Sequence, residues 1–165
     1  KEFTEGWSFG LRLETLQEYV NELKDKHKVD CVVVLSHDGF SVDQEVARKV
    51  KGIDFILSGH THDPSPQPIT INGTVIVIAG SHGKFIGRLD INAKNGKVID
   101  YEYKLVPMAS NMIPADPAGV KLVNELYAPF DKEFGEVLGK TKNILYKRDT
   151  FFSTFDQLIN DAIMD

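Results

Sequence analysis

The sequence predicts an α/β fold, and three observations lead to this prediction. Continuous apolar runs at 30–36 and 53–57 have the composition of strands buried in a parallel sheet. Each run is preceded by a segment with the spacing of an amphipathic helix. Beyond Asp63 the apolar runs become shorter and alternate with polar residues, which is typical of antiparallel strands. We therefore expect a layered α/β sandwich.

The first half of the chain contains two helix–strand units. A helix predicted over 11–27 is followed by the strand at 30–36, which ends at His37. A second helix, near 42–50, leads through Lys51-Gly52 into the strand at 53–57, just before Ser58-Gly59-His60. A strand–helix–strand connection of this kind implies that the two strands are parallel neighbours.

The second half begins with three prolines between 64 and 68, which should interrupt regular structure. Runs at 74–79, 85–92 and 98–106 predict antiparallel strands, and Asn95-Gly96 predicts a hairpin between the last two. A helix is predicted from Asp116 to about Phe134, with Pro129 interrupting it. A final helix is predicted over 155–164.

Composition excludes several classes of function. The net charge is -5 and the lysines are scattered among acidic residues, so no basic surface for nucleic acid is expected. The apolar runs are far shorter than the roughly 20 residues of a membrane-spanning helix, so no membrane span is expected. The single cysteine, Cys31, cannot form a disulfide within the chain and is predicted to be a small core residue.

Three histidines lie just beyond the predicted parallel strands. His37 follows the first strand, and His60 and His62 follow the second. Ligands collect at the carboxyl ends of strands in open α/β sheets, and neutral imidazole is the commonest transition-metal ligand. Gly39 and Gly59 would let the backbone approach the ions. We therefore predict metal ligation, against the alternative that each histidine is an ordinary polar loop residue.

Four further residues have two interpretations each. His82 follows another strand and could line the same cleft, or could be a surface residue. Asp63 could hydrogen-bond a ligand imidazole, or could be a turn residue before Pro64. Arg148, next to Lys147, could meet an anionic substrate, or could belong to a solvated basic pair.

Three motifs give the chain a family resemblance. Leu35-Ser36-His37-Asp38-Gly39, Gly52-Ile53-Asp54 and Gly59-His60-Thr61-His62-Asp63 resemble, in order and spacing, the last histidine motifs of the calcineurin-like metallophosphoesterases. The resemblance is to the branch of 5′-nucleotidases and SoxB thiosulfohydrolases. It implies a four-layer α/β sandwich with mixed sheets, followed by a linker helix. It also implies two divalent metal ions, one bound by His37 and His60 and the other by His62. Manganese is favoured, and zinc and iron are alternatives.

The resemblance continues through Gly83-Lys84-Phe85-Ile86-Gly87 and into Phe155-Asp156-Gln157-Leu158-Ile159. It implies that 1–110 is the carboxyl-terminal part of the metallophosphoesterase domain, 111–138 a linker helix and 139–165 the start of a second domain. We expect the family's remaining ligands and its general acid to precede Lys1. The chain would then hold no general acid, and alone it would be inactive.

Within this branch, Trp7-Ser8-Phe9-Gly10 and Thr154-Phe155-Asp156-Gln157 resemble SoxB more than the nucleotidases. SoxB proteins usually carry asparagine where this chain has Asp38. The implied function is release of sulfate from a cysteine S-thiosulfonate on a carrier protein during sulfur oxidation. The alternatives are a 5′-nucleotidase acting on nucleotides, and a metal-binding scaffold without catalysis. The family implies a periplasmic or extracellular location.

Overall fold

The computed structural model describes residues 4–147 and 153–164. The chain divides into two compact units, and the boundary in the sequence lies between Pro114 and Ala115. The elements of the first unit are α1 (Leu13–Asp25), β1 (Val33–Ser36), α2 (Phe40–Lys49), β2 (Phe55–Ser58), β3 (Ile69–Ile71), β4 (Thr74–Ile78), β5 (Phe85–Lys94) and β6 (Lys97–Pro107). The predicted α/β class is confirmed, with both parallel and antiparallel strand pairs.

The main sheet has the strand order β1-β2-β4-β3. β1 pairs in parallel with β2, and β2 pairs in parallel with β4. β3 joins β4 as an antiparallel edge strand through a two-residue turn at Asn72-Gly73. Ser36, Ser58 and Ile78 are aligned across the three parallel strands, so these strands end at one edge of the sheet.

The first unit has three layers. On one face of the sheet, α1 and α2 pack through Val20 and Val46 onto Ile56 and Ile76, all four of which are buried. On the other face, Phe55, Val75 and Val77 pack against side chains of the β5–β6 hairpin. The apolar periodicity of both helices and the continuous apolar runs of β2 and β4 therefore build one core on each side of the sheet.

One strand prediction was incomplete and another was wrong. The run at 74–79 was expected to form an antiparallel strand, and β4 does pair antiparallel with β3, but it also pairs in parallel with β2 and is buried along its whole length. β1 was expected to be buried on both faces, but Val33 is 43% exposed and Leu35 82% exposed. β1 lies at one end of the described strand order, and the described apolar side chains of the hairpin layer pack against β2 and β4. Cys31 is half-buried against that same cluster.

The predicted hairpin is confirmed. Lys94 and Lys97 are paired residues, so Asn95-Gly96 is the two-residue turn between β5 and β6. Both turn residues have positive φ, which asparagine and glycine tolerate best. A register shift between Asn92 and Ala93 bends the ribbon.

The second unit contains α3 (Pro117–Tyr127), a 3₁₀ turn (Ala128–Phe130), α4 (Asp131–Phe134) and α5 (Thr154–Met164). Asp116 caps α3, because its side chain accepts a hydrogen bond from the Gly119 N–H at 2.7 Å. Pro129 lies in the 3₁₀ turn, where the predicted helix is indeed interrupted. The assignment of 111–138 as a linker and of 139–165 as the start of a second domain stays a prediction.

Candidate metal centre

Three loops leave the sheet at the edge where the parallel strands end. His37 directly follows β1, Gly59-His60 follows β2, and the turn that contains His82 follows β4. The Gly59 N–H donates a 2.8 Å hydrogen bond to the Ser36 carbonyl, which ties the first two loops together. The parallel register thus gathers four histidines from separate parts of the sequence.

His37 and His60 form the first histidine pair. Their ring centroids lie 5.2 Å apart, and the ring planes meet at 79°. Both side chains are exposed. The two residues were predicted to bind the same ion, and the fold places their rings side by side.

The backbone at His60 is held in an uncommon conformation. Its φ is +65°, and the Thr61 N–H donates to the Gly59 carbonyl at 2.7 Å, which closes a three-residue γ-turn around His60. A γ-turn with positive φ at its centre is rare and strained. Strain of this kind persists only where surrounding contacts hold it, and it is concentrated at functional sites.

Glycine is required at two positions beside this pair. A Cβ at Gly59 would lie 2.9 Å from His37 Nδ1 and 3.0 Å from the Ser36 carbonyl oxygen. Gly39 has a φ of +92°, and a Cβ there would lie 3.3 Å from His60 Cδ2. The sequence suggested that these glycines let the backbone approach the ions. In the structure they make room for the histidine rings themselves.

His62 and His82 form a second pair. Their ring centroids lie 5.5 Å apart, and the planes meet at 72°. Both side chains are exposed, and His82 also has a positive φ, of +59°. His82, for which the sequence left two interpretations open, is therefore in ring contact with His62, one of the three predicted ligands.

The other candidate residues make fewer contacts. Asp38 is exposed, and its N–H donates to Ser36 Oγ at 3.2 Å. Asp63 is exposed, and within 4–147 and 153–164 its carboxylate makes no hydrogen bond to a histidine. Pro64 forms an isolated bridge with Ala79, and Asp63 lies in irregular backbone just before it. Arg148 lies outside the described residues.

Sequence reasoning missed two residues that lie near this edge. Asp43 Oδ2 and Ser58 Oγ are buried without a hydrogen-bond partner in the described part of the chain. Asp43 is only 1% exposed, although carboxylates are rarely buried without a partner. Its signal in the sequence is a charged residue on the apolar stripe of α2, three and four residues before Val46 and Ala47.

The donor set fits a metal ion. Two imidazoles that bind one ion at about 2.1 Å hold their ring centroids about 5 Å apart, close to the spacing in both pairs. Imidazole is a ligand for zinc and iron, and carboxylate and carbonyl groups suit manganese. Among the described residues, no three His, Cys, Asp or Glu side chains form a single cluster that could hold an ion. The described histidines thus form two ring pairs, which contain the three predicted ligands.

Comparison with known proteins gives relatives of one kind. The chain is 37% identical over 86 residues to the trifunctional nucleotide phosphoesterase protein YfkN of Bacillus subtilis, covering 50% of this chain and 6% of that protein. It is 30% identical over 158 residues to a snake venom 5′-nucleotidase of Macrovipera lebetinus, covering 84% and 38%. No protein-family model matches.

The solved structure of the sulfate thiohydrolase SoxB of Thermus thermophilus, in complex with glycerol, resembles this chain over almost its full length. The TM-score is 0.86, with 36% sequence identity over 98% of this chain and 30% of that one. The chain belongs to the 5′-nucleotidase and SoxB family of metallophosphoesterases. It spans well under half the length of each of these three family members. None of its described helices is long and apolar enough to cross a membrane.

Proposed function

We propose that the full-length protein is a two-metal hydrolase of the SoxB type, which releases sulfate from a cysteine S-thiosulfonate on a carrier protein. One observation carries this proposal: SoxB of Thermus thermophilus matches 98% of the chain at 36% identity and a TM-score of 0.86. Since the chain spans 30% of SoxB, this activity is proposed for the whole protein.

In this proposal His37 and His60 hold one metal ion and His62 holds the other. The ring spacing of His37 and His60 and the room left by Gly59 support a shared ion for the first pair. Two ions held by these histidines would supply activation of a water molecule and stabilisation of the charge that develops on a tetrahedral oxyanion. We propose manganese as the metal, with zinc and iron as alternatives.

The residues of this chain contribute by holding and orienting donors. The γ-turn at His60 and the close approach of Gly59 to His37 support a role for this backbone in positioning the two imidazoles. Donors that are positioned in advance lose little conformational entropy on binding. Asp38 stands exposed beside His37, where its charge can interact with an ion or with solvent.

A 5′-nucleotidase is the second candidate function. It is favoured by the curated relatives, since the venom 5′-nucleotidase is 30% identical over 158 residues. Phosphate monoesters and thiosulfonates both present a tetrahedral anionic centre, so the metal site is compatible with either. The substrate would be an anion in both cases, and a periplasmic or extracellular location is part of the proposal.

Hydrolysis by the manganese-loaded full-length protein tests both candidates. AMP and a carrier-protein cysteine S-thiosulfonate are offered separately, and phosphate and sulfate are measured. His60→Ala is compared with His27→Ala, because His27 is exposed and lies just beyond the end of α1.

Sulfate release from the carrier alone, abolished by His60→Ala and kept by His27→Ala, supports the SoxB-type function. Phosphate release from AMP with the same dependence makes the protein a nucleotidase and overturns the SoxB-type proposal. No release from either substrate, with manganese bound, points to the scaffold alternative.

A further inference from the structure

Among residues 4–114, three two-residue turns have positive φ at both central positions, the geometry of a type I′ turn. They are Asn72-Gly73, His82-Gly83 and Asn95-Gly96. In the second, the Lys84 N–H donates to the Ser81 carbonyl at 3.2 Å, as a β-turn requires.

Histidine is the exception among these turns. Type I′ turns are dominated by Gly, Asn and Asp, and the two hairpin turns of this chain follow that preference with asparagine in the first position. Only the turn beside the candidate metal centre carries a bulky ring there.

This turn is anchored against the loop that contains His62. The Ser65 N–H donates to the Ile78 carbonyl at 3.0 Å, and Pro64 bridges to Ala79. A Cβ at Gly80 would lie 3.5 Å from the His62 carbonyl oxygen, so the two backbones run side by side. These contacts bring the turn beside the loop of His62, where the His82 and His62 ring centroids lie 5.5 Å apart.

We propose that His82 is a positioning residue for His62: its ring packs edge-on against the His62 imidazole and holds that imidazole in place for the second metal ion. The proposal rests on the proposed function only in taking His62 as a ligand. An edge-to-face ring pair contributes enough to change affinity by about two- to tenfold. The asparagine that would suit the turn offers no such ring.

Manganese binding to the full-length protein, measured by calorimetry, tests this role with three variants. His82→Phe keeps a ring without nitrogens. His82→Asn gives the turn the residue found in the other two turns but removes the ring. Asn95→His places the same residue in a turn far along the β5–β6 hairpin, and serves as the matched control.

We expect His82→Asn to lower the affinity for the second manganese ion about two- to tenfold. The variant should unfold at the same or a higher temperature than the wild type. His82→Phe should bind both ions within about twofold of the wild type. Asn95→His should lose stability and keep both affinities. In the metal-free protein, the ring proton shifts of His62 should change in His82→Asn and change less in His82→Phe.

Two results would overturn the role of His82 alone. If His82→Asn binds the second ion as tightly as the wild type, the ring pair has no positioning effect. If His82→Phe weakens binding as much as His82→Asn does, the nitrogens of His82 act directly on the ion. A wild-type protein that binds no manganese contradicts the proposed function instead.

Discussion

Thr61 Oγ1 accepts a 2.9 Å hydrogen bond from the backbone N–H of Phe40. Phe40 is the first residue of α2, and its N-cap, Gly39, has no side chain that could cap the helix. Thr61 lies between His60 and His62. Its hydroxyl therefore caps α2, the helix that follows the loop of His37, and also anchors the loop that carries His60 and His62. The stability of α2 and the position of two predicted ligands therefore depend on the same contact.

Thr61→Val should lower the free energy of unfolding by about 1 kcal/mol, because it replaces the capping oxygen with a methyl group of similar size. The variant should also bind manganese more weakly, since the loop of His60 loses its anchor. Urea unfolding and calorimetry measure the two effects. Unchanged stability would show that water replaces the hydroxyl at the Phe40 N–H.

Gly59→Ala should reduce the magnitude of the free energy of manganese binding by more than it lowers the free energy of unfolding. The added methyl group would stand 2.9 Å from His37 Nδ1, closer than carbon normally approaches nitrogen, so the ring must move. Gly139→Ala is the control, because a Cβ there meets nothing within 4 Å. Calorimetric titration compares the two, and equal affinities would contradict a shared ion at His37 and His60.

Asp54 links the two neighbouring strands near their amino ends. Its carboxylate accepts hydrogen bonds from the Val32 N–H at 2.7 Å and from Lys24 Nζ at 2.8 Å. Asp54→Ala should lower the free energy of unfolding by about 1–3 kcal/mol, because it leaves a half-buried N–H without its charged acceptor. Lys26→Ala, which removes an exposed ion pair with Glu22, should change the free energy of unfolding by less than about 1 kcal/mol.

Urea unfolding of both variants measures the difference. If Asp54→Ala proves no more destabilising than Lys26→Ala, the Asp54 contacts do not hold the strands together.

Burial raises the pKa of the Cys31 thiol above its ordinary value of 9.0, and the nearby Asp54 carboxylate raises it further. The folded protein then holds the thiol proton more tightly than the unfolded chain does, so stability should fall as the pH rises through 9. Cys31→Ala should reduce this fall. Urea unfolding at several pH values measures it. Thiol alkylation should also be slower in the folded protein than in urea.

The sequence located the first two histidine loops because strand–helix periodicity determines where each strand ends. It could not reveal that β4 pairs in parallel with β2, since the pairing partner of a short apolar run is determined by tertiary contacts. The run from Val75 to Ile78 is continuously apolar, however, which is the signature of a strand covered on both faces. The same argument failed for β1, because a strand at the edge of a sheet can be continuously apolar without being covered on both faces.

The contact between His62 and His82 was beyond sequence reasoning for a related reason. The two are 20 positions apart in the sequence, and their contact depends on how the loop after β2 runs beside the turn after β4. The positive φ of His82 could have been suspected from the glycine that follows it, by analogy with Asn72-Gly73 and Asn95-Gly96.

The open edge of β1 has a practical consequence for handling the protein. Val33 and Leu35 present exposed apolar side chains on a strand that, within the described part of the chain, pairs with another strand along one side only. Such an edge can pair with the same edge of another molecule. A recombinant product limited to these 165 residues should therefore self-associate as its concentration rises. Leu35→Lys is the substitution that should best restore solubility.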